Sequence, residues 1–146
     1  MNFPPSVSFF VPGIPKGQPR PRAFVRGNRA AVYDPGTAEG WKGQIALAWR
    51  DTGHEKVIDG VFDVRLEFRF PRPKHHSNSK GVLKPAAPDW HTAKPDADNA
   101  AKAVLDALTT LHVWKDDALV SSLTVTKRYD TTPGCQISIT TLPPQS

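Results

Sequence analysis

KPDADNAAKAVLDALTTLHVWKDDALV, residues 94–120, reads as one helix between two polar turns, and its flanks decide the fold. Pro95 disfavours helix at Lys94. From Asp98 to about Leu111 the apolar residues Ala101, Val104, Leu105, Leu108 and Leu111 recur on one helical face. Trp114-Lys115-Asp116-Asp117 then makes a turn, and a strand is predicted from about Ala118 to Tyr129, with Leu119, Leu123 and Val125 facing one way. Before the helix, Phe62, Val64, Leu66, Phe68 and Phe70 alternate with Asp63, Arg65, Glu67 and Arg69. That alternation predicts a strand over Val61 to Phe70 with one buried and one wet face. Strand, helix and strand in succession indicate α/β layering.

Working outward, Ser6 to Val11 reads as a strand between Pro4-Pro5 and Pro12-Gly13. Ala23-Phe24-Val25 and Ala30 to Tyr33 flank Gly27-Asn28, so residues 15–33 predict a basic arm containing a hairpin. Asp34-Pro35 suits a helix start, with Asp as cap and Pro at the first helical position. Ala38, Trp41, Ile45, Ala48 and Trp49 follow at helical spacing, and Gly53 stops the helix. Trp at that spacing reads as core in preference to a base-stacking surface. The last strand, Gln136 to Leu142, is expected to form a hairpin with its predecessor across Thr131 to Gly134. The resulting order is β, hairpin, α, β, α, β, β. We therefore expect one α/β (α+β-like) domain over residues 1–146, with a mixed sheet and two main helices.

Composition fits that size. The 146 residues, 38% hydrophobic and 23% charged, suit a globular domain with a real core. Of the fifteen prolines, all but Pro35 cluster at 4–21, 71–95 and 133–144, marking loops and ends. The 71–95 stretch is a long basic, Pro-rich loop, and such loops are usually functional or mobile. No apolar run approaches the ~20 residues that span a bilayer. Val7 to Val11 is too short for a signal peptide, so a cytoplasmic location is expected and no membrane partner. Cys135 is the only cysteine, which excludes an internal disulfide and a Cys-rich zinc site. It reads as a small buried residue.

Net charge is +5, unevenly spread. Residues 15–29 hold Lys16, Arg20, Arg22, Arg26 and Arg29 and no acid. Residues 69–94 hold Arg69, Arg72, Lys74, Lys80, Lys84 and Lys94 against Asp89 alone. Five of the fourteen acids, Asp96, Asp98, Asp106, Asp116 and Asp117, fall between 96 and 117. Basic flanks around an acidic centre suit a metal-dependent nuclease: cations for phosphates, carboxylates for the metal.

Asp96 and Asp98, two apart before a helix, point the same way in an extended approach. They sit where the helix dipole favours anions and phosphate. Carboxylates that close repel, and Mg²⁺, a hard cation bound by one or two carboxylates plus phosphate, relieves the repulsion. Lys102 lies one turn after Asp98 on the same face. An EF-hand reading of Asp96-Ala97-Asp98-Asn99 fails, because Ala101 stands where Gly is needed and Ala107 where Glu is needed. Fourteen helical residues carry the chain roughly 21 Å, so Asp116-Asp117 returns to the helix start only if the strand doubles back along it. The sequence leaves that open. His75, His76 and His91, in a loop without a companion cysteine, read as solvated residues or phosphate contacts in preference to metal ligands.

The pattern Asp-x-Asp-Asn-x-x-Lys, an Asp-Ala-Leu helix and a Trp-x-Asp-Asp turn over residues 94–120 resembles the RusA family of Holliday-junction resolvases. A looser likeness extends to Lys127, the terminal strands and the opening strand with its Pro-Gly turn. The resemblance implies a homodimeric, Mg²⁺-dependent endonuclease, with Mn²⁺ as a substitute metal and no organic cofactor. It implies paired nicks in four-way DNA junctions during recombination and repair, and a bacterial or phage-infected host. It marks Asp96, Asp98 and Asp117 as metal ligands, Asp116 as a less certain fourth, Lys102 as the catalytic lysine, and Asn99 as a residue orienting a ligand carboxylate. Ala100 stands where the family usually has Leu, and Leu119 where Gln is common; neither is a ligand position. The longer 71–95 loop puts the junction preference in doubt more than the chemistry.

On this reading Lys16, Arg20, Arg22, Arg26, Arg29, Lys74, Lys80, Lys84 and Lys127 contact DNA. A nuclease for forks or flaps shares the chemistry. A non-catalytic branched-DNA-binding protein, or a metal-stabilised interaction module, belongs to other classes. The intact set Asp96, Asp98, Lys102 and Asp117 argues against the first of these, and the two basic arms against the second.

Overall fold

A computed structural model describes residues 6–19, 22–26, 29–33 and 36–144. The chain forms strands β1 (Ser6–Pro12), β2 (Arg22–Arg26) and β3 (Arg29–Tyr33), helix α1 (Gly36–Asp51), strand β4 (Phe62–Phe70), helix α2 (Ala97–Thr110), and strands β5 (Val120–Tyr129) and β6 (Gly134–Thr141). Short 3₁₀ turns cover Lys74–His76 and Asp117–Leu119. The expected mixed sheet and two helices are present, an α+β arrangement. β2 and β3 form the expected antiparallel ribbon. The turn at Gly27-Asn28 and the Asp34-Pro35 helix start lie outside the described residues.

The main sheet has the order β1-β6-β4-β5. β6 is antiparallel to both β1 and β4, and β5 is parallel to β4. The expected hairpin between β5 and β6 is therefore wrong. The reason is burial. The inner residues of β6, Cys135, Ile137 and Ile139, are all buried, which suits a strand flanked on both sides. β5 carries Ser122, Thr124 and Thr126 between Leu123 and Val125 and takes the edge. It reaches β4 in parallel because α2 supplies the long crossover that parallel pairing requires.

Val64, Leu66 and Phe68 of β4 stand opposite Leu123, Val125 and Lys127 of β5 on the sheet face that the helices cover. Trp41, Ile45 and Trp49 of α1 are buried in the same core, as their spacing predicts, with Trp49 against Phe9. Gly53, at φ +81°, follows α1 in the left-handed region that glycine tolerates.

The end of α2 fixes the site. His112, at φ 59°, turns the chain out of the helix, and its neighbour Val113 donates from N–H back to the Leu108 carbonyl. Val113 and Trp114 then enter the core, fully buried. The Trp114 ring packs 5.3 Å from Phe62, and its Nε1 donates to Thr109 Oγ1 at 2.8 Å. Burying an aromatic of this size is worth a few kcal/mol. The chain emerges at Asp116 and returns alongside α2.

Candidate active site

β5 doubles back along α2, which settles the geometry the sequence leaves open. Asp98, Lys102 and Asp117 line one cavity of about 420 Å³ together with Ala97, Ala101, Leu105, Leu123 and Val125. Asp98 and Lys102 are presented by the first turns of α2, and Asp117 by the 3₁₀ turn after Trp114. The rest of the lining is apolar, while Asp98, Lys102 and Asp117 are themselves exposed to solvent. Farther along β5, Lys127 reaches the segment that leads into α2, and its Nζ donates to the Ala93 and Pro95 carbonyls at 2.9 and 2.6 Å.

The remaining expected carboxylates stand differently. Asp96 is the residue before α2, with extended backbone at ψ 155°, and its side chain makes no capping bond. Its carboxylate instead accepts from Lys94 Nζ at 3.1 Å. Asp116 caps the 3₁₀ turn by accepting from the Ala118 N–H at 3.0 Å. That bond, followed by one from Asp117, holds the Asp116 carboxyl below its usual range. Burial pushes Asp117 up, and the bond and charge of Asp116 and the charge of Asp106 add to this, with Lys102 opposing. Among the described residues, no three Asp, Glu, His or Cys side chains gather closely enough to enclose a metal. The structure thus brings together Asp98, Asp117 and Lys102 and leaves Asp96 and Asp116 at the margin.

The donor set nevertheless fits a hard divalent cation. Two carboxylates share the cavity, and Asp117 sits under the negative charge of two neighbours, a load that a cation relieves.

A sequence profile of the family described as "Endodeoxyribonuclease RusA" matches residues 12–140. The chain belongs to the RusA endodeoxyribonuclease family. This RusA-family chain is also 35% identical over 141 residues to the uncharacterized protein YqaN of Bacillus subtilis (strain 168), a match covering 91% of this chain and 94% of YqaN. Family membership makes the protein an endodeoxyribonuclease, a hydrolase of DNA phosphodiester bonds. Nucleases of this family act on branched DNA and depend on a divalent metal. No helix among the described residues is long and apolar enough to cross a membrane.

Four residues around α2, Asp106, Lys42, Gln18 and Gly17, carry no assignment from the sequence. Asp106 lies one turn beyond Lys102 and accepts from Lys42 Nζ at 2.8 Å and Gln18 Nε2 at 3.4 Å. The Gln18 N–H also donates to the Asn99 carbonyl at 3.2 Å. Gly17 lies so close to Asn99 that a Cβ there would clash with the Asn99 Nδ2. The Asn99 side chain, expected beside a ligand carboxylate, thus packs against Gly17, where the basic arm leaves α2. The repeat of Asp98, Lys102 and Asp106 at four-residue intervals is the one signal that marks Asp106 in advance.

The expected DNA contacts divide in the same way. Lys74, Lys80 and Lys84 are exposed on the loop, and Lys16 is half-buried at the base of the arm. Arg22, Arg26 and Arg29 lie on β2 and β3, and Arg20 is outside the described residues. Lys127 points at backbone carbonyls. His76 and His91, expected to be solvated, are buried. His91 stacks on Phe70 with ring centroids 3.7 Å apart, and His76 meets the Tyr129 ring edge-on. The aromatic ends of β4 and β5 offer them more contact than solvent does, so the loop is pinned where it crosses the sheet.

Proposed function

We propose that this protein is a Mg²⁺-dependent endodeoxyribonuclease that resolves four-way DNA junctions by paired symmetric nicks, in recombination and repair. The observation that carries this reading is the convergence of Asp98, Lys102 and Asp117 on one apolar-walled cavity, from opposite ends of α2. Asp98 and Asp117 would hold the metal, with Asp96 joining them once its carboxylate leaves Lys94. A bound Mg²⁺, replaceable by Mn²⁺, supplies an activated water and neutralises phosphate charge.

The protein's own groups do the rest. The start of α2 directs backbone N–H groups and the positive end of the helix dipole towards a phosphate. Lys102 donates a proton-bearing ammonium N–H to a non-bridging or leaving oxygen, where negative charge grows in the transition state. Asp116 fixes the turn that carries Asp117, and Leu105, Leu123 and Val125 supply apolar lining beside the carboxylates. Arg22, Arg26 and Arg29 on the arm and Lys74, Lys80 and Lys84 on the loop grip phosphates, so binding weakens steeply with salt. Symmetric nicks need two sites related by a two-fold axis, which makes the working unit an isologous homodimer.

The test is cleavage of a synthetic immobile four-way junction, a fork and a linear duplex, each with Mg²⁺ or EDTA. Symmetric Mg²⁺-dependent nicks in the junction support resolution. Preference for the fork transfers the same chemistry to another branched substrate, and binding without cutting overturns the enzymatic reading.

A further inference from the structure

The attachment of the 71–95 loop to the sheet changes character just before the carboxylates. Up to His91 it is backbone pairing: Tyr129 N–H donates to the Asp89 carbonyl at 2.9 Å, His91 N–H to the Lys127 carbonyl at 3.1 Å, and Trp90 bridges Arg128. Beyond His91 the pairing stops. Among the described residues, the only bonds to the backbone of residues 92–95 come from one side chain. Lys127 Nζ donates to the carbonyls of Ala93 and Pro95, on either side of Lys94.

Lys127 follows Leu123 and Val125, two residues of the cavity wall, on the same side of β5. Its acceptors lie immediately before Asp96, whose carbonyl in turn accepts from Ala100 N–H in the first turn of α2. Charge-assisted bonds of this kind are short and roughly twice as strong as neutral ones. Burial lowers the Lys127 pKa, while the negative charge of Asp96 pulls it back up. Lys94, by contrast, is almost fully exposed, and an exposed pair with Asp96 fixes little.

We infer that Lys127 is a positioning residue: it ties the Ala93–Pro95 backbone to the edge strand, so that Asp96 and Asp98 enter the site in one geometry, and does not act as a DNA contact. This inference rests on the assignment of Asp96 and Asp98 as metal ligands. It adds a separate role for a lysine that the sequence groups with the phosphate-binding cations.

Lys127→Met keeps the aliphatic stem and removes the donors. We expect hydrogen exchange to quicken in the peptide covering residues 92–98 and to stay unchanged in α1. Junction affinity in EDTA and its salt dependence should match the wild type. The Mg²⁺ concentration for half-maximal cleavage should rise about 10–100-fold, the range seen when groups supporting metal ligands are removed. Weaker binding in EDTA, a salt slope reduced by about one and unchanged exchange would make Lys127 a phosphate contact and overturn the inference. Unchanged exchange with an unchanged metal requirement would overturn it as well.

K127C alkylated with 2-bromoethylamine restores an ammonium at nearly the same reach. Cys135 is spared because it is fully buried with its thiol pKa pushed far up. Recovery of the wild-type metal requirement supports the tether, and failure to recover it contradicts the tether. If the wild type cuts no DNA with any divalent metal, the nuclease reading fails, while the exchange measurement still decides whether Lys127 holds the loop.

Discussion

The two segments that supply the proposed carboxylates are built in opposite ways. Asp117 follows Val113 and Trp114, both fully buried, on a turn closed by Asp116 and by the reversal at His112. Asp96 and Asp98 follow the exposed residues 92–94, tied down by Lys127 and by a surface ion pair. Hydrophobic packing places the first segment, and directional polar bonds place the second. A core-set residue moves only when the fold moves. A tether-set residue can shift while the fold stands, so the second segment is where the geometry of metal binding is adjustable.

Trp114→Ala strikes the core-built segment and should have the largest effect. Loss of a buried Trp costs about 3–5 kcal/mol, and here the Thr109 bond goes with it. Urea denaturation should show that loss; a change below about 1 kcal/mol would mean that packing does not set the Asp117 turn. Lys102→Ala should slow cleavage about 100–1000-fold, with the melting temperature and junction binding retained, since its charge acts on the transition state. Cutting at the native rate removes Lys102 from the chemistry.

Gly17→Ala tests the hold of α2 on the arm. The added Cβ must displace Asn99 or the arm, and overpacking of this kind costs about 1–3 kcal/mol. Junction affinity should fall, whereas an unchanged affinity would uncouple the arm from the helix.

The smallest effect is one of pH, and it concerns the tether-built segment. Burial, and then Lys127, hold the His91 imidazole below its ordinary value of 6.5, and burial with His75, Arg72 and Lys84 does the same to His76. As pH falls through 6.5 the unfolded chain takes up these protons first. Stability is therefore full above about 6.5 and declines as the pH drops towards the lowered values. Melting curves at pH 7.5 and 5.5 should show the drop, and His91→Phe, which keeps the stack on Phe70, should reduce it. An equal drop in the variant would assign the effect to other groups.

The helices and strands were legible because their apolar residues obey periods of 3.6 and 2, and the Asp96 to Asp117 pattern marked the family and the residues proposed as its site. The neighbours of β5 were not legible. A short connection suggests a hairpin, yet Cys135, Ile137 and Ile139 favour a central position that only the assembled sheet reveals. His91 misled because a histidine in a basic loop looks like a solvent or phosphate group until Phe70 is seen beside it. For Lys127, on β5, spacing cannot reveal the two backbone carbonyls that its Nζ meets. Asp96 matched the pattern, but its present partner, Lys94, is a choice between nearby charges that spacing cannot rank.

The central claim is that Asp98, Lys102 and Asp117 form one metal-dependent phosphodiesterase centre. Nick mapping on a four-way junction, comparing the wild type with Asp117→Asn in Mg²⁺ and in EDTA, tests it most directly. The account predicts paired symmetric nicks for the wild type in Mg²⁺ alone, and none for a folded, junction-binding Asp117→Asn. Cleavage by Asp117→Asn at the wild-type rate, or wild-type cleavage that persists in EDTA, would contradict it.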